Sequence, residues 1–294
     1  MQTAAKIIAD TVNEYGARIT TFEVVAPRFL LAEVNTHRVI AKSAASSRAI
    51  PVEKRIAMVT DAPFVPLAFG KNKPGMQADE NLDDLKNEEA RLLWLAAAKS
   101  AAVYAKGLAD LGVHKQHANR LLEPFVYYTG VMTSTEWSNF FTLRTHPDAQ
   151  PEFRELAVIM KTLYDTNRPT KAGVHLPYVD LSTQMTTDPA TCRMISAARC
   201  ARVSYKTYDG KVSTPEKDIE LCGDLIKAGH LSPFDHPATS DHASFDHQNY
   251  GWFWHKPSHH RHNWGWIPDR VEIEAQQGWI CARNSYGRIE GFEP

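Results

Sequence analysis

Net charge is the first thing this sequence lacks: 33 Lys and Arg stand against 34 Asp and Glu, leaving -1 at pH 7. Without a global basic field nothing recruits nucleic acid by charge alone, so an anion site has to be a local cluster. Long apolar runs are missing too, and none approaches the roughly 20 residues a membrane span needs. The opening "MQTAAKIIADTVNEYG" carries acidic residues and no signal-peptide hydrophobic block, so a cytoplasmic location is expected. Cysteine is scarce. Cys192, Cys200, Cys222 and Cys281 all lie at or beyond residue 192 with no C-x-x-C pair, which reads as free thiols rather than a disulfide framework.

The common nucleotide and hydrolase signatures are absent as well. There is no G-x-G-x-x-G and no G-x-x-x-x-G-K-S/T, which argues against a Rossmann or P-loop enzyme. Neither a G-x-S-x-G elbow nor an H-E-x-x-H pair occurs. Among the cysteines only Cys192 and Cys200 stand beside arginines, and no thiol has the electropositive, His-bearing surroundings of a nucleophile. An enzyme built from this chain would leave the reactive atom to a bound cofactor.

What is present reads as a globular chain, 43% hydrophobic and 23% charged, with no internal repeat. "ITTFEVVAPRFLLAEVNTHR" begins extended, Ile19 to Ala26, and passes a Pro-Arg step into a short helix carrying Phe29, Leu30 and Val34. "VTDAPFVPLAFGKNKPGMQADE" is rich in proline and glycine and reads as a long irregular loop. The clearest helix runs from about Leu82 to Leu111, with Leu92, Leu95, Ala96 and Val103 at helical spacing and Gly112 as its stop. "HKQHANRLLEPF" predicts a short helix ended by Pro124. Thr133 or Ser134 offers an N-cap with Glu136 in the first turn, so a helix is expected to start there. "HPDAQPEFRELAVIMKTLYD" predicts another, with Pro151 in its first turn.

Asn167 to Ala190 holds three prolines and little periodicity, and reads as a linker. Beyond it, "RMISAARCARVSY" reads as a buried strand or helix edge leading to a turn at Asp209-Gly210. "TPEKDIELCGDLIKAGH" predicts a helix with Thr214 as N-cap, Pro215 first, and an apolar face of Ile219, Leu221, Leu225 and Ile226. From His230 onward the chain carries five of the seven tryptophans and eight of the thirteen histidines.

Three constellations could carry chemistry. In "NTHRVIAKSAASSRAIP", Arg38 and Arg48 flank Ser43, Ser46 and Ser47, while small Ala44 and Ala45 leave backbone N–H groups open. Such donors suit a phosphate monoester, and an ordinary surface loop has the same composition. In "GHLSPFDH", His230, Ser232, Asp235 and His236 lie within seven residues. A histidine on a helix dipole and a Ser-Pro turn account for them, and no zinc spacing does. In "WFWHKPSHHRHNWGW", His255, His259, His260 and His262 invite a metal, but no acidic or cysteine partner sits at a matching interval. Its aromatics, with Lys256 and Arg261, suit stacking on a planar ring or a packed lobe closing the fold.

Taken together, these signals resemble one family, the flavin-dependent thymidylate synthases. Its signature is R-H-R, seven residues, Ser and, one residue later, Arg. "THRVIAKSAASSR" is similar at His37, Arg38, Ser46 and Arg48, with Thr36 in place of the first arginine and Ala44 in place of an acidic residue. "NRLLEPF" resembles the family's arginine-bearing helix at Arg120. "NFFTLRTHPDAQPEF" resembles the next segment at Asn139, Arg144, Gln150 and Glu152. "CARVSY" and "AGHLSPFDH" are similar to two further motifs, which come first in the family and last here. The resemblance therefore implies a circularly rearranged order, in which the end of "GHLSPFDHPA" would meet "ITTFEVV".

The resemblance implies an α+β fold, a mixed or antiparallel sheet packed with helices, in one domain over residues 1–294. Its motifs would occupy a segment at 1–166 and another at 191–294. The implied chemistry places dUMP against FAD, with methylenetetrahydrofolate as carbon donor and NADPH recharging the flavin. Glu33, Ser46, Ser47, Arg48 and Arg120 would bind the nucleotide. Arg144 would sit at the pyrimidine as the catalytic residue, favouring ionised N3. His37, Arg38, Asn139, His230, Ser232 and Asp235 would hold the flavin. A homotetramer with sites shared between subunits is implied, and no metal, nucleic acid or membrane. Thr36 and Ala44 leave open a second product, a hydroxymethyl rather than a methyl group on C5. A nucleotide or single-strand binding protein stays open as the non-enzymatic alternative.

Overall fold

Polar and apolar residues alternate from Thr21 to Val24 in "RITTFEVVAP", at the centre of a strand buried on both faces. The computed structural model describes residues 2–75, 78, 80–203, 213–240 and 266–269. Strands β1 (Ala4–Val12) and β2 (Arg18–Pro27) form an antiparallel hairpin. Asn13 builds its turn: Oδ1 accepts from the N–H groups of Tyr15 (3.1 Å) and Ala17 (2.9 Å). Gly16 takes φ 84° there, a conformation L side chains resist. A 3-10 turn, Arg28–Leu30, leads into α1 (Leu31–Val34) and then β3 (Ala41–Ala44). Next come α2 (Val52–Asp61), α3 (Asp84–Asp110) and α4 (Lys115–Ala118). A second 3-10 turn, Asn119–Phe125, returns the chain to β4 (Tyr127–Ser134). Helices α5 (Ser138–Arg144) and α6 (Pro151–Thr166) precede β5 (Thr170–Lys171), β6 (Val174–His175) and α7 (Leu181–Thr186). The described residues end with α8 (Pro189–Arg202), α9 (Pro215–Lys227), β7 (Ala238–Ser240) and β8 (Trp266–Pro268).

The fold is α+β. Five strands in the order β3-β4-β2-β1-β5 make the central sheet, antiparallel except where β5 joins β1. Strands β6, β7 and β8 make a second, antiparallel sheet. On one face of the central sheet Phe22, Val24 and Ala26 pack with Met132, Phe140, Phe153, Leu156 and Met160. Helix α6 covers this face because Phe153, Leu156, Ala157 and Met160 recur at helical spacing. The opposite face is polar at its centre. There Thr21 Oγ1 lies 2.8 Å from His175 Nε2, and Thr133 Oγ1 lies 2.8 Å from His236 Nδ1. Helices α8 and α9 pack on each other and on the turn before His236 through Ala197, Ala198, Cys222, Leu225 and Phe234.

Several expectations fail against this fold. Residues 167–190 are not a linker: they hold β5, β6 and α7, and they bury His175 completely. Asp180 and Asp188 cap α7 and α8, accepting from the N–H groups of Thr183 (2.8 Å) and Thr191 (3.0 Å). The prolines there punctuate structure instead of replacing it. Thr133 and Ser134 end a strand and do not start a helix; "YYTGVMTS" is rich in residues that suit a pleated surface, and α5 begins only at Ser138. Pro124 does not end the short helix, because the 3-10 turn runs through it and accepts its fixed φ. Of the two readings of "RMISAARCAR", a buried strand or a helix edge, the structure takes the helix. The turn at Asp209-Gly210 and the histidines from His255 to His262 lie outside the described residues. Among the described residues no helix is long and apolar enough to cross a membrane.

Candidate functional site

The first cluster gathers where α1 and α5 end. Arg144 closes α5, where a cation suits the helix dipole, and its Nε donates to His37 Nε2 at 2.9 Å. His37 therefore accepts at Nε2 and is neutral. Burial, then the cations Arg144 and Lys42, push its pKa from 6.5 to about 4. Glu33, one turn earlier on α1, places a carboxylate oxygen 3.5 Å from the Arg144 guanidinium. Beneath it the Phe153 ring centre stands 4.5 Å from the guanidinium carbon. Lys42 Nζ donates to the His37 carbonyl at 2.6 Å and closes the turn. Arg144 is thus held by an imidazole, a carboxylate and an aromatic face.

A second cluster forms around Glu123. Ser47 is buried and its hydroxyl donates to Glu123 rather than facing outward. Arg120 stands 2.8 Å and Arg28 3.6 Å from the same carboxylate. Arg55 is 1% exposed, and its guanidinium reaches the Ser47 hydroxyl at 3.4 Å. Burial, then neighbouring Arg28, lowers its pKa to about 10, while Glu123 opposes the fall. Three guanidiniums around one carboxylate leave a local positive excess in a chain of net charge -1. The sequence reading missed Arg55 and Arg28. A signal for Arg55 existed: on α2 it takes a core-facing place between Val52 and Val59, where an apolar side chain is the rule.

The late segment reaches the early one through His236. After α9, Gly229 takes φ 69° and turns the chain, and a 3-10 turn Ser232–Asp235 buries Phe234. His236 follows, fully buried, with Nε2 2.9 Å from Ser43 Oγ on β3. The implied junction also closes: Ala238 packs with Ile19 and Trp266, and Asn13 Nδ2 donates to Ser240 Oγ at 3.2 Å. Among the expected ligand contacts, Arg38, Arg48, Arg120, Asn139, His230 and Ser232 are exposed, and Asp235 is half-buried. Ser46 Oγ accepts from the Arg48 N–H at 3.2 Å. Hydrogen bonds and ion pairs join His37, Arg144 and Glu33 as one group and Ser47 and Arg120, through Glu123, as another; the late motif joins through His236, not through His230.

Cys192, Cys200 and Cys222 are buried thiols, and burial pushes the pKa of each up, Cys222 to about 11. Among the described residues no group of three His, Cys, Asp or Glu side chains could hold a metal ion. The site therefore offers fixed cations, a neutral imidazole and hydroxyls. Such groups have the chemistry to bind an anion or polarise a carbonyl.

Residues 18–170, more than half of the chain, match the profile of the family described as thymidylate synthase complementing protein. The chain belongs to that family. The match holds both clusters, from Arg28 and Glu33 to Arg144, and stops before the late motif. Solved structures are more distant. The UMP/dUMP methylase PolB from Streptomyces cacaoi, bound with 5-Br dUMP, is 22% identical over 50% of this chain and 66% of its own, at a TM-score of 0.41. The same enzyme with 5-Br UMP is 17% identical over 55% and 88%, at 0.47. The flavin dependent thymidylate synthase ThyX from Helicobacter pylori, complexed with FAD and dUMP, is 19% identical over 50% and 67%, at 0.34. This member of the complementing family is at most 22% identical to these three structures. No curated protein matches it.

Proposed function

We propose that this chain is a flavin-dependent thymidylate synthase. It would carry a one-carbon unit from methylenetetrahydrofolate to C5 of dUMP and form dTMP. FAD, recharged by NADPH, supplies the hydride when bound. The family match carries this reading, because its span includes the whole Arg144, His37 and Glu33 arrangement. Arg144 suits the catalytic part. A cation fixed at the pyrimidine favours loss of the N3 proton and so raises electron density at C5. Neutral His37 steers that guanidinium without cancelling its charge.

Arg48, Arg120 and Ser46 suit the nucleotide phosphate, with Glu33 orienting Arg144 from the side. Ser47 serves indirectly, by holding Glu123 between Arg28 and Arg120. The exposed donor set Arg38, Asn139, His230 and Ser232 fits a flavin with an anionic diphosphate arm, and His37 and half-buried Asp235 complete it. The hydrogen bond between Ser43 and His236 supports one working unit made from the 1–166 and 191–294 segments. A homotetramer with shared sites belongs to the same reading. Leu92 (56% exposed), Leu93 (68%), Val103 (69%) and Tyr104 (70%) on α3 support it as surface that another copy would cover.

The test uses purified protein with FAD, dUMP, methylenetetrahydrofolate and NADPH. Retained yellow flavin and a product heavier than dUMP by a methyl group are expected. A product heavier by one further oxygen would mean the hydroxymethyl reaction instead. Failure to bind either flavin or dUMP would end the enzyme reading.

A further inference from the structure

Six polar side chains cross the buried face of the central sheet in one unbranched line. Thr11 Oγ1 lies 2.8 Å from His175 Nδ1, and His175 Nε2 lies 2.8 Å from Thr21 Oγ1. Thr21 Oγ1 lies 2.7 Å from Thr133 Oγ1, which lies 2.8 Å from His236 Nδ1. His236 Nε2 then meets Ser43 Oγ at 2.9 Å. Strands β1, β2, β4 and β3 each contribute a hydroxyl, and two histidines from the later chain bridge them.

Hydrogen counting fixes what the line can do. Each hydroxyl carries one hydrogen and each neutral imidazole one N–H, so six groups supply six hydrogens to five contacts. Both rings are neutral, burial having pushed each pKa from 6.5 to about 3. One hydrogen is left over. It cannot belong to a histidine, because both ring nitrogens are engaged and one of them must donate. It belongs to Thr11, Thr21, Thr133 or Ser43. Thr21 and Thr133 are 0% exposed and Thr11 is 6% exposed, so a spare hydrogen on any of them would be an unmet buried donor. Ser43 alone is half-buried, on the edge strand between Arg38 and Ser46.

We propose that the line is polarised from Thr11 towards Ser43, and that the Ser43 hydroxyl is a binding residue donating to an acceptor oxygen of the ligand at the β3 edge. The ligand half rests on the flavin and dUMP reading above. A carbonyl or phosphate oxygen of either molecule has the required chemistry. His236 and Thr133 are positioning residues: they fix Ser43 as a donor, where a lone serine could equally accept. Neighbouring dipoles in such a line reinforce one another.

The polarity has a direct signature. With the spare hydrogen at Ser43, His236 carries its proton on Nε2; with it at Thr11, Thr21 or Thr133, His236 carries it on Nδ1. Selective 15N-histidine NMR of the whole protein reads this, with His236→Gln assigning the signal. An Nε2–H ring is expected, and an Nδ1–H ring would overturn the proposal. Affinity for FAD alone and for dUMP alone is then measured in Ser43→Ala and Ser43→Thr. A loss of about tenfold for one ligand in Ser43→Ala, restored in Ser43→Thr, is expected. The ligand that responds is the one Ser43 meets. An Nε2–H ring with both affinities unchanged in Ser43→Ala would overturn the binding role. Wild-type protein that bound neither ligand would bring down the enzyme reading and the binding role together, while the ring signal would still report the polarity.

Discussion

The two faces of the central sheet solve the same burial problem by opposite means. One is hydrocarbon, with Phe22 and Val24 against Phe153, Leu156 and Met160. The other carries Thr21 and Thr133 at 0% exposure, each with its hydroxyl engaged by a buried histidine. Dispersion and the hydrophobic effect are undirected, so the first face asks only for volume and shape. The second asks for a count of hydrogens, because every unmet donor there has lost its water. A single strand serves both, since neighbouring residues of β2 point to opposite sides.

The sharpest way to break the hydrocarbon side is Phe153→Ala, which should cost about 3–5 kcal/mol in urea unfolding through lost burial and a cavity. Next in size is Arg144→Ala, at the border between that side and the site. Turnover of dUMP should fall by about 10²–10³, while FAD absorbance of the purified protein is retained. Equal loss of both would show that Arg144 only shapes the flavin pocket. On the polar side Thr21→Val is nearly isosteric and should still cost about 1–3 kcal/mol, since it strands both His175 and Thr133. Its counterpart Met160→Leu, at similar volume, should cost less than about 1.5 kcal/mol. If the two cost the same, hydrogen counting does not govern the second face.

Acid gives the mildest test. His37, His175 and His236 have folded pKa values of about 4, 3 and 3 against 6.5 for free imidazole. As pH falls below about 6.5 the unfolded chain takes up protons that the folded one refuses. Their contribution to stability is full above that pH and is lost progressively towards pH 3. The loss is at most about 1.4 kcal/mol per pH unit for each histidine. Urea midpoints between pH 7.5 and 5.5 should fall, and His236→Gln should flatten the slope.

Periodicity made some of this legible from the residues alone. The helix starting at Pro151, the long helix before Gly112 and the strand from Ile19 all show in the pattern of apolar side chains. Strand β4 did not, because Thr133 and Ser134 suit both a strand end and a helix cap, and long-range pairing with β2 and β3 decides between them. Strand β1 did not either, since "AAKIIADTV" has no clean alternation. His175 sits in a proline-bearing stretch with no period, and only the folded chain shows that it reaches β1 and β2. At the site, His37 and Arg144 were legible as motif residues. Their hydrogen bond was not, nor was the carboxylate of Glu123 as the centre of the arginine cluster.

Phe153 has two occupations at once: it is fully enclosed among the sheet's apolar side chains, and its ring is the floor under the Arg144 guanidinium. A substitution chosen to firm up the interior there would also retilt the cation, so under the role proposed for Arg144 thermal resistance and rate are tied to one another at that position. Variants selected for heat tolerance should leave residue 153 alone or surrender speed.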